Sequence, residues 1–343
     1  MKALKMILRA SWMVAFLLMI LFSTGCRGPI ADFMPIMGAR GFYEYGHTPY
    51  GHPDPFPGSL SGFSVGSKFS GNGIVYMRKA SFFDPDHRAK GARDFYYAYL
   101  NIAKKLTAGN KVFSTHKMDI VIHSYPDNWN SLSESERKKI IVDYGIELAK
   151  AAGYHSNIPY ENGTWYGGGV DYESSYSGED LYSDMVGVYV GEKALRLDLA
   201  GKGGYSRHVT RLTQAFVNKN QYVSKSKAWK IIDSLEGKHF VPSKPTKTLI
   251  VRNVDVGEDG YIDNVPIPGF TPARMQMTRL PAPRMDFSDF MGFSADIYQG
   301  SNASYSKRCA KKLGVSRVNI KDHPRLMRII GKEMEAKGMK VFY

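Results

Sequence analysis

Cysteine is nearly absent. Only Cys26 and Cys309 occur in 343 residues, which excludes a disulfide-stapled scaffold. Beyond the N-terminus there is no long apolar run, which excludes a multi-span helical membrane protein. No His-Glu-x-x-His pair and no P-loop is present, so two common catalytic frameworks are missing. No nucleic-acid-binding motif accompanies the basic charge. What remains is an ordinary globular composition, 43% apolar and 23% charged, which excludes wholesale disorder. Glycine (34) and tyrosine (22) are plentiful and point to a loop-rich protein with amphipathic surfaces.

The N-terminus reads as a leader. Lys2, Lys5 and Arg9 form a basic region, and no acid precedes Cys26. Trp12 to Phe22 is an unbroken apolar run of eleven residues. That suits a signal-peptide core and is too short to span a bilayer, which takes about 20 residues. Ser23-Thr24-Gly25-Cys26 resembles a bacterial lipobox, with Ser23 where Leu is usual. The expectation is a signal peptide over 1–25, lipidation at Cys26 and, with Arg27 rather than Asp next to it, an outer-membrane location. Cys309 then has no partner and is expected to be a buried, inert thiol.

The net charge of +14 falls to +11 without the leader's basic residues. Residues 301–343 carry eleven Lys/Arg against Asp322, Glu333 and Glu335. The basic character therefore belongs to the C-terminus. Such a surface suits an anionic envelope component, or is a solvated helix face. Export argues against nucleic acid.

Residues 26–72 are rich in Gly, Pro, Ser and aromatics and read as an anchor linker and irregular wrapping segment. Residues 73–343 read as one α+β domain with a basic helical C-terminus. Gly73 to Phe83 suggests a strand, Ala89 to Leu106 a helix, and Lys111 to Tyr125 two β-rich pieces. Ser133 with Glu136 forms a capping box for a helix carrying Ile141, Tyr144 and Leu148, with Gly153 as its stop. Ser177 and Asp180 open a helix with Leu181, Met185 and Val188. Helices are also expected over 206–219 and 225–236, and over 301–340 with breaks near Gly314 and Pro324. Thr248 to Val256 and Tyr261 to Ile267 suggest a β-hairpin through Asp259-Gly260.

The segment Phe82-Phe83-Asp84-Pro85-Asp86-His87-Arg88 carries the most chemistry. With a helix starting near Pro85, Asp84 and His87 face one point. Asp and His at that spacing can hold a divalent metal such as zinc, or act as an acid–base pair. A helix cap is the simpler alternative. Glu161 precedes an aromatic, Gly-rich loop around Trp165, and Asp180 and Asp184 follow. Asp255, Asp259 and Asp263 do not make a calcium loop, because Pro266 stands where the bidentate Glu belongs.

Gly73-Ile74-Val75-Tyr76, Phe82-Phe83-Asp84 with His87, Glu161 before Thr164-Trp165-Tyr166-Gly167, and Ser177 with Glu179-Asp180-Leu181-Tyr182-Ser183 together resemble an uncharacterised family of bacterial lipoproteins, a domain of unknown function. Two positions depart from that pattern. Tyr160 replaces a His and Asp184 an Asn. The resemblance implies a location and a candidate site, and no reaction. Two functions are therefore expected as alternatives. One is a lipid-anchored binding or assembly factor at the outer membrane. The other is a metal-assisted envelope hydrolase built on Asp84, His87 and Glu161, with Arg88, Trp165, Asp180 and Asp184 as accessory residues.

Overall fold

The computed structural model describes residues 75–115, 117–158, 179–224, 251–267, 269–300, 304–336 and 340–343, with residues 227, 228, 230, 231 and 234. The leader, Cys26, the linker, Glu161, Trp165 and most of the expected 225–236 helix lie outside the described residues.

The fold is α+β. The described strands are β1 (Val75–Met77), β2 (Ser81–Phe83), β3 (Val112–Thr115), β4 (Met118–Ser124), β5 (Val251–Asn253), β6 (Tyr261–Ile262), β7 (Leu280–Pro281), β8 (Phe287–Phe290), β9 (Phe293–Gln299) and β10 (Lys340–Phe342). The described helices are α1 (Pro85–Thr107), α2 (Glu134–His155), α3 (Asp180–Leu199), α4 (Tyr205–Lys219), α5 (Ser304–Leu313) and α6 (His323–Glu335). The largest sheet is antiparallel in the order β3-β4-β9-β8. Its inner strands alternate as one buried face requires: Met118, Ile120 and Ile122 on β4 and Phe293, Ala295 and Ile297 on β9 are buried.

Helix α1 starts at Pro85, one turn before the expected Ala89. Proline suits the first helical position, where its fixed φ is helical and its missing N–H is not needed. The Arg88 N–H already bonds the Asp84 carbonyl at 3.1 Å. Ala92, Phe95, Tyr99, Ile102 and Leu106 form its buried stripe. Gly109, in the left-handed region at φ +71, ends it, and the N–H groups of Gly109 and Asn110 return to Leu106 and Lys105. Helix α2 has the expected capping box: Ser133 N–H donates to Glu136 and Glu136 N–H to Ser133 Oγ. It does not stop at Gly153 but runs on to His155. Gly153 is an internal contact instead, since a Cβ there would lie 3.2 Å from the Phe95 backbone. Helices α5 and α6 are separated near Gly314 and Pro324 as expected, with Pro324 in the first turn of α6.

Among the described residues the hairpin expected through Asp259-Gly260 is not formed. β5 pairs in parallel with β10, and β6 pairs antiparallel with β7. Side chains hold the intervening chain in place of a ladder. Asn253 accepts from the Asp255 N–H and donates to the Asp263 carbonyl, and Asp255 accepts from the N–H groups of Gly257 and Asp263. Asp263 is neutralised by Arg274 and Arg279, each 2.7 Å away. Hairpins do form elsewhere, at β1–β2, β3–β4 and β8–β9.

A buried polar chain ties three elements together. Gln299 of β9 donates its amide to His323 Nε2 at 2.9 Å, and His323 Nδ1 lies 2.9 Å from His155 Nδ1 at the end of α2. The amide nitrogen can only donate, so His323 carries its proton on Nδ1 and gives it to His155. Both rings are fully buried. Burial pushes the His323 pKa down to about 3, and burial with its neighbour holds His155 well below the ordinary range. In the unfolded chain each protonates near pH 6.5. The stability of the neutral pair is thus complete above pH 6.5 and is lost as pH falls from there toward 3. At about 1.4 kcal/mol per pH unit, His323 alone should cost about 2 kcal/mol by pH 5. Urea unfolding at pH 7.5 and pH 5 should show this loss, and His323→Gln should reduce it. Equal pH dependence in the two proteins would contradict the assignment.

Candidate metal centre

The candidate site is built by a close crossing of α1 and α3. The two helices run the same way: Asp84 meets Ser183, Gly91 meets Asp184, and Gly191 meets Ala92 and Phe95. Their backbones touch. A Cβ on Gly91 would sit 2.2 Å from the Asp184 carbonyl, and one on Gly187 would sit 2.2 Å from the Arg88 carbonyl. Only glycine allows this separation. The crossing brings both helix N-termini, each the positive end of a helix dipole, to one place. Acidic side chains there are favoured for that reason alone.

Four expected residues meet at this point. Asp84 ends the β2 connection, and its N–H donates to Ser183 Oγ at 2.9 Å. His87 follows in the first turn of α1. Asp180 opens α3, and Asp184 lies one turn later on the same face. Asp84, His87 and Asp180 each offer a ligand atom, and these atoms lie within 4.8 Å of one another. This buried group could hold a metal ion. His87 stands between two carboxylates: Nε2 is 3.6 Å from Asp180 Oδ2, and Nδ1 is 3.6 Å from Asp184 Oδ2. Lys90 reaches the same Asp184 oxygen at 3.7 Å. The side chains of Asp180 and Asp184 are 1% and 0% exposed, against 12% for His87 and 20% for Lys90.

The arrangement can do one thing well. Buried carboxylates are costly unless paired, hydrogen-bonded or bound to a cation. Three stand here, with Lys90 as the ammonium among them. A divalent cation between Asp84, His87 and Asp180 would offset carboxylate charge at this point. Asp184 would then sit behind His87, the usual position for a carboxylate that fixes a ligating imidazole.

The third ligand expected from the sequence, Glu161, lies outside the described residues. Asp180, expected as an accessory residue, takes that place. Arg88, expected as an accessory residue, is buried beside the site, and its charge also opposes the upward push of burial on the Tyr205 phenol. Ser183 and Lys90 were missed. The signal for Lys90 was its spacing, one turn after His87.

A family model described as a protein of unknown function, DUF4056, matches residues 57–266. The chain belongs to the DUF4056 family. This agrees with the resemblance to an uncharacterised family read from the residues. Asp84, His87, Lys90, Asp180 and Asp184 all lie in the matched part of this DUF4056 protein, whereas α5 and α6 lie beyond it. No curated protein and no solved structure matches the chain.

Glycine at the crossing is testable. Gly187→Ala should force α1 and α3 apart and cost about 1–3 kcal/mol or more in urea unfolding. Gly145→Ala is the control. Its Cβ would find only ordinary contacts, 3.6 Å or more away, and helix propensity favours the alanine. Equal effects of the two substitutions would contradict a backbone contact at Gly187.

Proposed function

We propose that this DUF4056 protein is a metal-assisted hydrolase of the cell envelope, anchored to the outer membrane by a lipid on Cys26. The observation that carries the reading is the convergence of Asp84, His87 and Asp180 at one buried point, with His87 backed by Asp184. Two carboxylates and one imidazole make three protein ligands, which leaves positions open for water and substrate, the pattern of catalytic rather than structural zinc. Zinc suits the mixed nitrogen and oxygen set. When bound, such an ion lowers the pKa of its water and polarises the bond to be cleaved. The chain's own residues do the rest. Asp184 Oδ2, 3.6 Å from His87 Nδ1, favours a proton on that nitrogen and so leaves Nε2 for the ion. Ser183 holds the Asp84 backbone. The buried walls keep bulk water away from all but His87 and Lys90.

A second reading has support of a different kind. On α5, Lys307 and Lys311 are exposed one turn apart and have no ion-pair partner among the described residues, while Lys312 pairs with Glu333 and Arg328 with Glu258. This face favours an anionic envelope component and a binding or assembly role. It lies outside the DUF4056 match, so both readings can describe one protein.

Elemental mass spectrometry on the detergent-solubilised full-length protein tests the first reading. About one zinc, iron or manganese per chain is expected, and His87→Ala and Asp180→Asn should each lose it while keeping the wild-type circular dichroism. Metal-free wild type, after purification without chelators, would overturn the proposal.

A further inference from the structure

The geometry points to a second site, a cradle for a phosphate-type oxyanion at the N-terminus of α4. It shares no residue with the metal centre and does not depend on a bound metal. Helix α4 follows the loop Gly201-Lys202-Gly203-Gly204. Gly201 and Gly203 hold positive φ, +70 and +115, and all four residues are exposed. Gly204 caps the helix without a side chain, and no acid stands in the first turn. The N–H groups of Gly203, Gly204 and Arg207 have no hydrogen-bond partner among the described residues. The positive end of the helix dipole thus meets solvent across glycine backbone, the arrangement in which helix N-termini take phosphate groups.

The side chain that makes this helix end a site is His208. It is 4% exposed, and its Nε2 is buried with no hydrogen-bond partner among the described residues. That nitrogen is aimed at the approach loop, since a Cβ on Gly203 would lie 3.4 Å from it. No side chain at position 203 stands in the way. The tautomer follows from Arg211, whose guanidinium lies 3.4 Å from His208 Nδ1. A guanidinium can only donate, so Nδ1 accepts and the ring proton sits on Nε2. A buried N–H without an acceptor is costly, and an oxyanion seated against Gly203 supplies one. Charge favours the same ligand. Residues 201–219 contain no Asp or Glu. Lys202, Arg207 and Arg211 are exposed and have no ion-pair partner among the described residues. The nearest acid in sequence is Asp198, whose charge is felt at the Tyr205 phenol. Three cations against one carboxylate favour a dianion over a monoanion, and so a phosphate group over a carboxylate. Tyr205 fixes the helix start before any ligand arrives: its hydroxyl donates to the Ala92 carbonyl at 2.8 Å, and its ring stacks on Tyr96 at 4.2 Å.

The test titrates inorganic phosphate calorimetrically into the full-length protein in detergent, with glycerol 1-phosphate as an ester and acetate as the carboxylate reference. Wild type should bind phosphate or its ester with a Kd of about 1 mM or tighter, and acetate at least about tenfold more weakly. Tighter binding of the ester assigns the site to a phosphorylated headgroup, and tighter binding of phosphate assigns it to the free ion; both support the inference. His208→Leu should weaken binding at least about tenfold, and His208→Gln, which keeps an N–H donor, should restore most of it. The double variant Lys202→Gln/Arg207→Gln changes only exposed side chains and should lose binding with wild-type circular dichroism, so the result does not hang on the folding of a core variant. Lys219→Gln, in the last turn of α4, should bind as wild type does, and so should His87→Ala. Phosphate and ester bound no tighter than acetate, or wild-type affinity in the double variant, would overturn the inference. Equal losses in Lys219→Gln and the double variant would reduce it to general charge attraction, and loss of binding in His87→Ala would move the anion to the metal centre; either result also overturns it. A metal-free wild type leaves this inference standing.

Discussion

Everything at the candidate site follows from how closely α1 and α3 approach. Side chains normally hold helices 8–10 Å apart. Here Gly91 and Gly187 let carbonyl oxygens occupy the space a Cβ would take. The helices run in parallel, so the close contact near their first turns stacks their N-termini together. Asp84, His87, Asp180 and Asp184 are thereby buried as a group rather than spread over two solvent-facing helix ends. Parallel neighbours need a long connection, and residues 108–179, which include antiparallel α2, supply it.

The remaining architecture braces this crossing. α2 packs against α1 through Gly153 and against α3 through Lys150 with Glu192 and Arg196 with Asp143. On its other side, Tyr144 of α2 stacks on Phe293 of β9 at 4.0 Å. The end of α2 is held by the His155–His323–Gln299 chain, which joins it to α6 and to the same strand. The stretch beyond the DUF4056 match therefore contributes half of the main sheet and one end of the brace, although the site itself lies inside the match.

Local chemistry was legible in the sequence where a local rule governs it. The Ser133–Glu136 capping box, the apolar stripe of α1 and the pairing of Asp84 with His87 each depend on residues three or four apart. Cys309 is buried, as expected of a lone thiol, and burial pushes its pKa up to about 11. What the sequence did not yield depends on distant contacts. Asp259-Gly260 carries a good turn signal, but β10 and β7 compete for the flanking strands, and Asp255 and Asp263 use their side chains to hold the loop. Gly153 has the look of a stop, and only the approach of Phe95 makes it a helix interior. Asp180 is a helix opener by sequence and a ligand candidate only after α1 is laid against α3. Lys90 gains meaning from Asp184, which is 94 residues away.

The central claim is that α1 and α3 together present one imidazole and two carboxylates to a single divalent ion. X-ray absorption at the metal edge of the zinc-loaded protein tests it most directly. The expected shell is one imidazole nitrogen with oxygen donors, at about 2.0–2.2 Å. A shell with sulfur, with two or more imidazoles, or without any imidazole would contradict the account.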